Sequence, residues 1–146
     1  FLAGVIFVFT LVGVLTVTTG VTGYLVGFGD DIAYDHLLQL WLASSLLFTG
    51  VMALAFAVAV ESDRAGPAIG IPATVVLLNY LAWAIGGIWP DVGFLEDWSM
   101  FSLLETQQVL ADGAALSDVA IMLLFIVILA AVAFYRFPRR DLPAPA

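Results

Sequence analysis

Residues Val119 to Asp141 read VAIMLLFIVILAAVAFYRFPRRD, an apolar run that meets charge at one end only. As a helix, the nineteen residues from Val119 to Phe137 rise about 28 Å, close to the roughly 30 Å hydrocarbon thickness of a bilayer. The stretch therefore predicts one membrane crossing. No charge interrupts it before Arg136; Arg139 and Arg140 follow, and Pro138 between them ends the helix. The chain has four basic residues, all arginine, and three of them lie in this short tail. Basic residues are retained on the cytoplasmic side of membranes, so the tail is expected inside, and it orients the spans before it.

Composition agrees with a membrane setting. Of 146 residues, 63% are hydrophobic and 11% charged, and the mean hydropathy of +1.11 is too apolar for a domain with a wetted surface. The formal charge of -8 comes from the connections between apolar runs and argues against nucleic acid as a partner. Absence of cysteine removes disulfides and thiolate chemistry, and a single histidine leaves no basis for a haem or zinc site. No cofactor and no metal site is expected.

Working back from the tail, three more spans are predicted, at about 1–26, 37–60 and 69–89. The first, FLAGVIFVFTLVGVLTVTTGVTGYLV, is charge-free. Gly13, Thr16, Gly20, Gly23 and Gly27 recur near the helical repeat and suit close packing on another helix. Because Phe1 opens inside this run without a charged leader, the chain is expected to be a fragment with a missing upstream part. The connection FGDDIAYDH (residues 28–36) is acidic and expected outside, with His36 a solvated imidazole. Glu61 to Ala68, ESDRAGPA, holds the fourth arginine, Arg64, and a Gly-Pro turn, and is expected inside. Pro72 is a candidate kink in the third span, and Gly86 and Gly87 are expected to loosen its outer end.

Residues 91–118 cannot cross, since carboxylates punctuate them too often. Phe94, Leu95, Trp98, Phe101, Leu104 and Val109 recur at three- and four-residue spacings, which predicts an amphipathic outer segment on or dipping into the interface. Ser117 or Asp118 is expected to cap the last span. The two outer connections carry nine carboxylates and no arginine, while all four arginines fall on the other side. The expectation is thus an all-α integral membrane protein, a single domain over 1–146 with four transmembrane helices, in the plasma membrane with a cytoplasmic C-terminus.

Chemistry is sparse within the spans. None carries an ionisable group at its centre, so proton relays and ion-coupled carriers are disfavoured, and no nucleophile-base constellation or phosphate-binding loop supports an enzyme. Asn79, at mid-span, is the clear polar anomaly, for which an interhelical hydrogen bond competes with a role on a pathway. Ser45 and Thr49 join it as pathway candidates on polarity alone, against the alternative of structural hydrogen bonding.

The ending AVAFYRFPRRDL (Ala131 to Leu142) resembles the Phe-Arg-Arg-Arg-Asp-Leu close of permease subunits of type-2, exporter-like ABC transporters. LNYLAWAIGGIWP (Leu78 to Pro90) with the following outer segment and last span is similar to their penultimate span, outer helical hairpin and final span, and AVESDRAGPAIG (Ala59 to Gly70) to an inner turn between earlier spans. Pro138 interrupts the usual arginine run. The resemblance implies a parent of six spans, of which this chain carries the last four. It further implies a second permease subunit and an ATP-binding cassette ATPase subunit as partners, with ATP hydrolysed by the latter. A noncatalytic membrane scaffold or assembly subunit is the alternative.

Overall fold

The computed structural model of the chain describes residues 1–28, 34–104 and 106–139. Asp30, Asp31, Glu105 and Arg140, with the rest of the C-terminal tail, lie outside the described residues. Within them the protein is all-α, and four helices are long and apolar enough to cross a membrane. These are α1 (Leu2–Gly23), α2 (Tyr34–Glu61), α3 (Ala65–Ile88) and α6 (Leu116–Arg136); two short helices, α4 (Phe94–Asp97) and α5 (Thr106–Asp112), lie between α3 and α6. The chain is a multi-pass membrane protein.

The bundle is built around α2. Nearly half of its apolar window is buried, against 6% for α1 and α3 and 11% for α6. The sequence of α2 explains this. In a bilayer, helices associate through close packing rather than through a hydrophobic drive, and small residues permit the closest approach. Ala43, Ser45, Thr49, Ala53 and Ala57 are all buried, and Gly50 meets Phe125 and Ile126 of α6. On α1, Gly13 receives Trp41 and Gly20 receives Leu37, and Trp41 Nε1–H donates to the Phe9 carbonyl at 3.0 Å. The glycines picked out by spacing on α1 thus include two that seat α2, whereas α1 passes into a π-helical turn over Tyr24–Phe28 beyond Gly23.

Alternation of direction makes α2 and α6 parallel. Gln39 bonds Ala114, Gly50 faces Phe125 and Glu61 pairs with Arg136, each pair 75 residues apart in sequence. Parallel neighbours need a return crossing between them, and α3 supplies it. Arg64, Arg136 and Arg139 therefore share one end of the bundle, and Asp91, Asp112 and Asp118 lie at the other. At the arginine end Ala57, Val60 and Ala133 form a buried apolar cluster. Arg136 Nε lies 3.3 Å from Glu61 Oε1 on the surface, and the Arg139 guanidinium stacks 3.8 Å from the Tyr135 ring centre.

Several expectations are corrected in detail. α3 runs unbroken through Pro72 to Ile88, so Gly86 and Gly87 do not loosen its end. α6 starts at Leu116 with Ala115 as its N-cap and no side-chain cap. Ser117 and Asp118 are already in its first turn, where the Ser117 hydroxyl donates to Asp118 Oδ1 at 3.1 Å and the carboxylate favours the helix dipole. His36 belongs to the first turn of α2, and its Nδ1–H donates to the Leu110 carbonyl at 2.7 Å.

One stability prediction arises from α3. Gly70 is helical and a Cβ there would meet nothing within 4 Å. Gly70→Ala is therefore expected to raise unfolding stability in detergent by about 0.5–1 kcal/mol, measured by thermal unfolding; a loss of stability would contradict the open surroundings of this position.

Candidate functional site

The connection between α3 and α6 is a re-entrant hairpin of short helices. It descends from Trp89 through a 3-10 turn at Pro90–Val92 and α4, turns through Met100–Leu103, and climbs back as α5. The periodicity predicts an amphipathic helical segment on or dipping into the interface; within it the helix breaks at Ser99, which turns extended, with φ -80° and ψ 141°, its side chain accepting from Phe101 N–H.

Asn79 holds the tip of this hairpin. Its Oδ1 accepts from Met100 N–H at 2.9 Å, and its backbone carbonyl accepts from the Ser99 hydroxyl at 2.9 Å. Ser99 is 3% exposed, and the Ser102 hydroxyl donates back to the Ser99 carbonyl at 2.8 Å. Asn79 lies nine residues, or about 14 Å of helix, from the end of α3 at Ile88. The hairpin thus carries irregular backbone well below the acidic end of the spans. The Asn79 amide was predicted to need a partner, and that partner is a loop backbone rather than another span.

Two further contacts fix the limbs. On the way down, Glu96 lies directly over Gly86; a Cβ at Gly86 would stand 2.5 Å from the Glu96 backbone nitrogen. On the way up, Gly113 adopts φ 87°, which a glycine tolerates best. The next amide, Ala114 N–H, donates to Gln39 Oε1 of α2 at 2.7 Å, close to the bond from His36 to Leu110. A Cβ at Gly113 would also stand 2.6 Å from Gln39 Oε1. Gly113→Ala is expected to cost about 1–2 kcal/mol and to speed proteolysis of the 104–114 limb. Unchanged cleavage would exclude the pinning role.

Beneath the hairpin lies a cavity of about 550 Å³ lined by Leu46, Leu47, Gly50 and Leu54 of α2, Val75 and Asn79 of α3, and Ile121, Met122 and Phe125 of α6. Asp97, Trp98, Ser99, Met100 and Leu103 roof it. It is predominantly apolar, with the Asn79 amide and the Asp97 carboxylate at its top. Asp97 and Trp98 are exposed, the latter 87%, whereas Glu96 is half-buried against α3.

The three residues singled out by polarity separate here. Asn79 lines the cavity. Ser45 and Thr49 do not; helical spacing turns them away from Gly50 toward the α1 side of α2. The Thr49 hydroxyl donates to the Ser45 carbonyl at 2.7 Å, while Ser45, 0% exposed, leaves its Oγ without a partner among the described residues. Ser99 and Gln39 escaped sequence reasoning, while Gly86 reads in the sequence as a loosened helix end and Gly113 as part of a break at Ala111-Asp112-Gly113; the close approach of backbone at Gly86 is not assigned by spacing alone. Among the described residues no group of His, Asp or Glu side chains is placed to hold a metal ion.

No protein-family model, curated protein or solved structure matches the chain.

Proposed function

We propose that the protein is the membrane-spanning permease subunit of an ATP-driven transporter of the ABC type, forming part of an export pathway. The observation that carries this reading is the re-entrant hairpin above the α2–α3–α6 cavity. Non-helical backbone at membrane depth is tolerated where it is buried in protein or borders a water-filled space, and a plain packing scaffold has no need of it. Exposed Asp97 supports the same conclusion. A charged carboxylate facing hydrocarbon costs about 2.5–3.5 kcal/mol at the centre of a span, so this face is turned toward water or protein. The resemblance of the AVAFYRFPRRDL ending adds the class of transporter.

On this reading the arginine end is cytoplasmic, in accord with the positive-inside rule, in the plasma membrane. The partners are a second permease subunit and an ATP-binding cassette ATPase subunit, which supplies hydrolysis. The test is to isolate the intact permease from its native membrane under conditions that preserve complexes. An associated ATPase whose turnover depends on the permease in reconstituted vesicles is expected. Recovery of the intact permease with no such ATPase, or a complex that forms normally and moves nothing across the vesicle, would favour the assembly-subunit alternative.

A further inference from the structure

A second space of about 660 Å³ opens at the arginine end, bounded by Val58 and Glu61 of α2, Pro67 and Ile71 of α3, Leu129 and Val132 of α6, and the turn at Arg64, and Leu54 lines both it and the cavity beneath the hairpin. Together they follow α2 from Leu46 to Glu61, about 22 Å of helix. That exceeds one leaflet of a roughly 30 Å hydrocarbon core. α3 and α6 each pack on α2 more extensively than on one another, and the groove lies between them.

The apolar walls from Leu54 to the mouth gain dispersion contacts when hydrocarbon or protein fills the space between them. Its mouth is different. Arg64, the N-cap of α3, is exposed and makes no ion pair with a carboxylate among the described residues, while Glu61 at the same mouth is paired with Arg136. A guanidinium binds a phosphate through two parallel N–H donors. A single guanidinium beside the Glu61 carboxylate suits a headgroup of low net charge.

We infer that this groove binds a membrane phospholipid with a singly charged or zwitterionic headgroup, one hydrocarbon chain lying between α3 and α6 and the phosphate against Arg64. The charge at the mouth selects this occupant over a protein helix, which would bring no phosphate to Arg64. The site is independent of the transport reading: it would be filled in a scaffold as well as in a permease.

The test uses the intact protein in phosphatidylcholine nanodiscs doped with a phosphatidylcholine that carries a photoactivatable diazirine in one chain. Adducts are mapped by peptide mass spectrometry. A diacylglycerol with the same diazirine chain serves as the probe without phosphate. Adducts are expected to concentrate on Leu54, Val58 and Leu129 relative to the exposed α1 residues Val14 and Val17. Arg64→Gln is expected to lower groove labelling by the phospholipid about fivefold and to leave diacylglycerol labelling unchanged. Ile71→Trp, a large side chain at a half-exposed wall position, is expected to lower both.

Even labelling of groove and α1 would mean ordinary annular lipid and overturn the site. Labelling of α1 with none in the groove would mean that a protein segment fills it. An Arg64→Gln protein that labels like the parent would overturn the phosphate contact. Because the distribution of adducts on the unsubstituted protein already decides between groove and annulus, the inference stays testable if either variant folds poorly.

Discussion

Gly86→Val is expected to unseat the re-entrant hairpin, at a cost of about 3 kcal/mol or more, while Gly87→Ala, one residue along, is expected to stabilise the protein slightly. The two glycines are neighbours on α3 but meet different surroundings. At Gly86 a Cβ would lie 2.5 Å from the Glu96 nitrogen and 3.0 Å from its Cα. Those are backbone atoms of a short helix and cannot swing aside as a side chain can. At Gly87 the nearest atoms are the Glu96 carboxylate oxygens at 3.7 Å, an ordinary contact. There the gain in helix propensity, up to about 1 kcal/mol, acts almost alone. Thermal unfolding in detergent, followed by tryptophan fluorescence, separates the two. Equal effects at both positions would show that α4 is not seated on α3 as described.

Asn79→Leu is expected to free the hairpin tip from α3. The substitution removes the acceptor of Met100 N–H in a partly buried site, leaving a donor whose desolvation costs about 1–3 kcal/mol. The bond from the Ser99 hydroxyl to the residue 79 backbone carbonyl survives, so the hairpin loosens at one point rather than dissolving. Hydrogen-deuterium exchange at the Met100 amide should rise by about 5- to 100-fold, while the amides of α2 keep their protection. Asn79→Asp, which retains an oxygen in the Oδ1 position, should keep most of the protection at Met100. Loss of protection to the same degree in both variants would mean that the amide acts through packing and not as an acceptor.

The two predictions concern features of unequal legibility. Asn79 stood out in the sequence because an amide at mid-span cannot remain unsatisfied in hydrocarbon. What it binds was invisible, since its partner Met100 is apolar and contributes only its backbone. Gly86 was visible as half of a glycine pair, and spacing alone suggested a loosened helix end, where the fold uses it as a seat. The hairpin was legible as an interruption, six carboxylates from Asp91 to Asp118, and as a run of periodic apolar residues. That periodicity predicts an amphipathic outer segment. The break at Ser99 is decided by bonds to α3, which have no trace in local pattern. His36 reads as a surface loop residue in the sequence, and its role in holding α5 to α2 needs the return of the hairpin to be seen.

By itself the sequence determined the four spans, their alternating direction and the segregation of arginines from the acidic connections, because the cost of charge in hydrocarbon acts residue by residue along the chain. Tertiary structure alone decided that α2 is the centre, that α6 lies parallel to it, and that the segment between α3 and α6 descends about 14 Å to Asn79. It also decided that a groove lies between α3 and α6. These outcomes rest on which small residues and which backbone groups meet across the bundle. All four spans are apolar on every side, so no hydrophobic stripe marks which face packs and which meets lipid.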